Sequence, residues 1–182
     1  DSCFHKAGFE TMLLDSYWDP YNPEIDRKYF TPVFRIDNLV DHVEKAVTGD
    51  LSGTDGFEIY SNSAGSGMVQ TLEDYLDFVN FMIQLADENG IAGLKCGLAY
   101  RRSLDFKDVS HERATALFEK SSALNQSEKK ELQDFIFHRI LEKAAEYDLP
   151  VQIHTGYLAG NGNQLDNGKP VKLNNLFLKH PR

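Results

Sequence analysis

Cysteine is scarce in this chain: Cys3 and Cys96 are the only two in 182 residues. They lie far apart and form no ligand-like spacing, which argues against a disulfide scaffold and for a reducing, cytoplasmic setting. No apolar run reaches the ~18 residues of a membrane span. The start, Asp1-Ser2-Cys3-Phe4-His5-Lys6, lacks the charged and apolar regions of a signal peptide, and it lacks an initiator Met. These residues are therefore expected to be part of a longer translation product. Basic clusters are missing too, and the net charge is −9. Such a chain is a poor binder of nucleic acid or anionic membrane, although a local arginine can still receive an anionic small molecule inside a cleft. There is no P-loop, no G-x-G-x-x-G after a strand, no G-x-S-x-G elbow, no H-E-x-x-H and no H-x-H.

What is present is ordinary globular composition, 41% hydrophobic and 26% charged, enough for one domain over residues 1–182. Apolar strand-like runs alternate with helical patterns, which predicts an α/β fold with a parallel sheet. Strands are expected at 11–14, 29–36, 91–100 and 151–154. Between them, Asp37 or Asn38 caps a helix to about Val47, and residues 48–70 read as a Gly/Ser-rich loop. Thr71 opens a long helix through a capping box with Asp74, and Asn89-Gly90 ends it. Ser110 begins a shorter helix, and Ser127 caps a long one that stops before Pro150. Residues 156–170 read as a polar loop, and a last helical stretch follows at 173–179. Pro20, Pro23 and Trp18 fall in a turn-rich segment, where Trp18 either lines a pocket or is exposed.

Strands in a two-sided parallel sheet should be apolar throughout. Here one face is apolar and the other is small or charged near the C-terminal ends. Arg35 opposes Phe34 and Ile36. Lys95, Gly97, Ala99 and Arg101 oppose Leu94, Cys96 and Leu98. Gln152 and His154 oppose Val151 and Ile153. Burying Arg, Lys and His unpaired costs several kcal/mol, so the pattern points to a polar pocket where the strands end. The alternative is an antiparallel, half-exposed sheet with these groups solvated; the long intervening helices weigh against it. His154, followed by Thr155-Gly156, stands out as metal ligand, general base or structural imidazole. His42, His111 and His138 fall on helical patterns as surface or packing residues, His5 and His180 lie near the termini, and Cys96 reads as a packed thiol.

Leu13-Leu14-Asp15, Val33-Phe34-Arg35-Ile36, Gly93-Leu94-Lys95 with Ala99-Tyr100-Arg101, and Leu149-Pro150-Val151-Gln152-Ile153-His154-Thr155-Gly156 together resemble the amidohydrolase-related family. The nearest branch is the amidohydrolase-like domain fused to glutamine synthetase in nodulin-type proteins. The resemblance spans nearly the whole chain and implies a (β/α)₈ TIM-type barrel, of which this chain would cover about strands 2–5. It also implies a divalent metal, usually zinc, held by an H-x-H on strand 1, a His ending strand 5, often a His on strand 6, and an Asp on strand 8. Only the strand-5 ligand maps here, onto His154; the others would lie before Asp1 or after Arg182. A partial barrel of a fold needing ~250 residues should be poorly stable alone and should not hold zinc tightly.

Further implications of the resemblance concern the substrate. Tyr100, Arg101 and Arg35 look like substrate-contacting groups, Arg101 suited to a carboxylate and Arg35 alternatively paired with Asp15. Lys95 matches a strand whose lysine is carbamylated in some branches, but it lies before the strand end, which favours a buried polar or ion-paired role. The implied activity is metal-assisted hydrolysis of C–N or ester bonds on a small, carboxylate-bearing molecule. A metal-dependent decarboxylase, or a degenerate barrel acting as a non-catalytic binding module, are the alternatives, and self-association is left open.

Overall fold

A computed structural model describes residues 2–15, 24–47, 51, 57–64, 69–120 and 123–181. The segment with Pro20, Pro23 and Trp18 lies outside them. Strand β1 (Met12–Leu14) pairs in parallel with β2 (Phe30–Pro32). Strand β3 (Phe34–Arg35) pairs in parallel with β4 (Leu94–Cys96), and β4 with β5 (Val151–Ile153). The strand expected over 29–36 is thus two short strands in two sheets. Pro32 explains the break: it has no N–H, so bonding toward β4 starts at its carbonyl, which accepts from Ala92 N–H at 2.8 Å. Val33 N–H still reaches the Leu14 carbonyl at 2.9 Å, so one extended segment touches both neighbours.

The helices are α1 (Ser2–Ala7), α2 (Asp37–Asp41), α3 (Val43–Val47), α4 (Phe57–Ala64), α5 (Leu72–Glu88), α6 (His111–Phe118), α7 (Gln126–Glu146) and α8 (Asn174–Lys179). Helix α5 opens as its sequence predicts: Thr71 Oγ1 accepts from Asp74 N–H, and the Asp74 carboxylate accepts from Thr71 N–H. Four expectations are corrected. The region 48–70, expected as loop, contains α4 among its described residues. Neither Asp37 nor Asn38 caps α2; Ile36 occupies the cap position with no side-chain bond. Asn125, not Ser127, caps α7, its Oδ1 accepting from Ser127 and Glu128 N–H at 3.0 Å while Glu128 answers the Asn125 N–H. The strand over 91–100 shrinks to three residues, because Gly97 turns the chain into a 3₁₀ turn at Leu98–Tyr100.

The core lies on one side of the β3–β4–β5 sheet. Phe34, Ile36, Leu94 and Cys96 point into it and meet Met82 and Ile83 of α5 and Ile136 and Ile140 of α7, all almost fully buried. Each such aliphatic or aromatic side chain contributes about 1.5–3 kcal/mol on burial. Cys96 is the packed thiol the sequence predicts: burial pushes it up to about 12. The opposite face carries Arg35, Lys95 and Gln152 as direct register partners. Strands and helices therefore form the parallel mixed α/β arrangement expected, with small sheets and no closed barrel among the described residues. No described helix is long and apolar enough to cross a membrane.

Candidate functional site

Side-chain alternation carries the Arg35–Lys95–Gln152 row one step up to Asp37, Gly97 and His154, where the strands end. Asp37 begins α2 and is buried, but its carboxylate does not serve the helix. Both its oxygens accept from Gly97 N–H, at 3.0 and 2.9 Å. Burial holds the Asp37 carboxyl above its ordinary range; the Gly97 bond and the charges of Arg35 and Arg101 pull the other way. Gly97 also leaves room for the guanidinium of Arg35. A Cβ there would stand 2.9 Å from Arg35 Nη1 and 3.2 Å from Asp37 Oδ1.

Arg35 makes a two-pronged bond to Asp15 at the end of β1, Nε to Oδ1 at 3.2 Å and Nη2 to Oδ2 at 2.6 Å. The structure thus brings these two candidates together as an ion pair. Burial opposes its charge, but the Asp15 bond and the charges of Asp37 and Asp15 raise the guanidinium further. Arg101 is placed differently. It sits on the exposed rim and bonds Asp41 of α2. Lys95, expected in a buried polar or ion-paired role, is half-buried and makes no hydrogen bond or ion pair among the described residues.

His154 is half-buried, and its backbone N–H bonds the Cys96 carbonyl at 2.8 Å. Its Nε2 lies 2.7 Å from the Tyr157 carbonyl oxygen. A carbonyl only accepts, so Nε2–H is the donor, and in the neutral imidazole Nδ1 is left as the acceptor. Tyr100 packs against the imidazole with ring centroids 5.0 Å apart, and its hydroxyl accepts from Ala159 N–H at 3.2 Å. The loop after β5 is stitched to the same corner by Gly156 N–H to the Gly168 carbonyl (2.7 Å) and Leu104 N–H to the Asn167 carbonyl (3.2 Å). Tyr100 and His154 therefore share one corner, while Arg101 turns toward α2.

Behind the rim lies a polar layer that reading the sequence missed. Asp41 also accepts from Gln133 Nε2 at 3.4 Å, Gln133 Oε1 accepts from Arg102 at 3.1 Å, and Arg102 bonds the fully buried Asp134. Asp134 receives Lys130 at 2.7 Å and the Lys107 N–H at 3.1 Å as well. A local sign was Lys130 and Asp134, spaced i, i+4 on α7.

No protein-family model matches the sequence, and no curated protein does. Similar folds exist among solved structures. A Lactobacillus casei protein assigned as a metal-dependent hydrolase superposes with a TM-score of 0.63 at 18% identity, covering 97% of this chain and 43% of that one. Uronate isomerase from Thermotoga maritima gives 0.65 at 14% identity, over 98% and 43%. Glucuronate isomerase from Caulobacter crescentus gives 0.64 at 15%, over 98% and 40%. The chain spans about two-fifths of each of these proteins, and at such identities the likeness is one of fold. None of the three is described as a glutamine synthetase fusion.

Proposed function

We propose that residues 1–182 form part of a (β/α)₈ barrel of the amidohydrolase type and carry one wall of a metal-dependent hydrolase site in the cytoplasm. The observation that carries this reading is His154: it stands at a strand's C-terminal end, its Nε2–H is held by a backbone carbonyl, and its Nδ1 is uncommitted. Metal-binding imidazoles are oriented in this way, by a carbonyl or carboxylate on the far nitrogen. Among the described residues no group of three His, Cys, Asp or Glu side chains could hold a metal. Asp15 and Asp37 are committed to Arg35 and Gly97. These residues fit one ligand of a larger set, with the others contributed from outside the described residues.

A divalent metal, zinc by the preference of imidazole donors, supplies Lewis acidity there and makes water nucleophilic near neutral pH. This chain's own residues hold and orient. Tyr157 fixes the His154 ring and Tyr100 packs against it. Arg35 and Lys95 lay positive charge along the floor for an acidic small molecule, and Tyr100 and Arg101 meet it at the rim. A second reading is favoured by two of the similar folds, which are isomerases named for uronic acids: a sugar acid suits the same cationic floor.

Metal analysis of the whole protein and of its His154→Asn variant tests the ligand. Metal affinity should fall at least about tenfold in the variant, and equal metal content in the two rejects the assignment. Assays with amides, lactones and D-glucuronate separate the reactions. Conversion of D-glucuronate to a ketose without hydrolysis of any amide or lactone would replace the hydrolase reading with the isomerase one.

A further inference from the structure

Five half-buried lysines among the described residues end on carboxylates. Lys120 bonds Glu128, Lys129 bonds Glu44, Lys130 bonds Asp134, Lys143 bonds Glu146 and Lys172 bonds Asp166. Lys95 is also half-buried and ends on none. It sits on the central strand β4, between Arg35 on β3 and Gln152 on β5, and its ammonium has no hydrogen-bond or ion-pair partner among the described residues. Gln152 beside it is exposed and has no side-chain partner among the described residues either. The other cations of the site are taken, Arg35 by Asp15 and Arg101 by Asp41.

An ammonium partly removed from water without a counter-charge is unfavourable unless something supplies one. Lys95 and Gln152 stand on neighbouring strands, about 4.8 Å apart in the pairing direction, on the face away from the helices. We infer that Lys95 and Gln152 form the seat for the substrate's carboxylate, Lys95 Nζ donating to one oxygen and the Gln152 amide to the other. Arg35, locked by Asp15, does not compete for the ligand; it keeps the floor positive. The inference rests on the reading that this face looks into a substrate site, and it moves carboxylate recognition from the rim arginine, Arg101, to the floor.

The test uses the whole protein and two probes, D-glucuronate and its neutral counterpart D-glucose, with binding measured calorimetrically. The wild type should prefer the acid by about tenfold or more, the worth of a charge-assisted hydrogen bond. Lys95→Met should abolish that preference, Lys95→Arg should keep most of it, and Gln152→Ala should weaken it. Thermal melting and metal content should stay unchanged. A wild type without preference for the acid, or a Lys95→Met variant that retains it, overturns the inference. If Lys95→Met does not fold, NMR of the ¹³C-dimethylated wild-type protein decides: the Lys95 signal must shift with D-glucuronate and not with D-glucose. Failure of the metal reading appears separately, as unchanged metal in His154→Asn.

Discussion

Gly97 donates its backbone N–H to both carboxylate oxygens of Asp37, across sixty residues of sequence. The bond ties the end of β3 to the end of β4 and sets the corner from which Tyr100 and Arg101 project. A side chain at position 97 would crowd it, since a Cβ there would stand 2.9 Å from Arg35 Nη1 and 3.2 Å from Asp37 Oδ1.

Gly97→Ala should therefore destabilise the protein by about 1–3 kcal/mol, the usual range for overpacking. Backbone strain is not the cause, because φ is −115° there. The cost should fall when the guanidinium is removed. Urea denaturation of Gly97→Ala, Arg35→Ala and the double variant should reveal a coupling of about 0.5–3 kcal/mol; strict additivity would show that the crowding is not with Arg35.

Asp134 is fully buried and is the counter-charge for Arg102, itself mostly buried, as well as for Lys130. Asp134→Ala strands a buried guanidinium and should cost about 3–5 kcal/mol. Glu146→Ala removes an exposed partner of Lys143 and should leave the melting temperature in place. Comparable losses from the two substitutions would contradict the burial argument.

His138 Nδ1 and His180 Nε2 lie 2.8 Å apart, joining α7 to the end of α8 around one shared proton. Burial lowers both imidazoles from 6.5, helped by Lys179 in each case, by the mutual charge at His138 and by Arg139 at His180. Asp108 and Asp134 oppose this at His138, and Glu142 and Asp108 at His180. The unfolded chain thus takes up protons first as pH falls. The pair's contribution is complete above about pH 6.5 and is lost as pH drops through the lowered folded values. Asp37 has the opposite sign: its raised folded value favours the native state on acidification. Stability measured at pH 8 and pH 5 should fall in the wild type and fall less in a His138→Gln/His180→Gln variant. Identical losses would remove the pair from the account.

Helix α5 could be read directly because its information is local: a capping box four residues long and an apolar stripe at helical spacing. The two-faced strands were legible for the same reason, since alternation alone sorts Leu94 and Cys96 from Lys95. Ser127 misled because Asn125, two residues earlier, offers a better acceptor and Glu128 completes its capping box. The strand expected over 91–100 stops early although its apolar run continues, because the backbone leaves the extended region at Gly97.

Sequence by itself determined the alternation of helix and parallel strand, the packed state of Cys96, and the clustering of Arg35, Lys95 and His154 toward the strand ends, because periodicity and residue type act over a few positions. Tertiary structure decided which charges were spoken for. Asp15 on Arg35, Asp41 on Arg101 and Asp37 on Gly97 meet across 20 to 60 residues, and a charge's partner is set by distance in space, which no local pattern encodes.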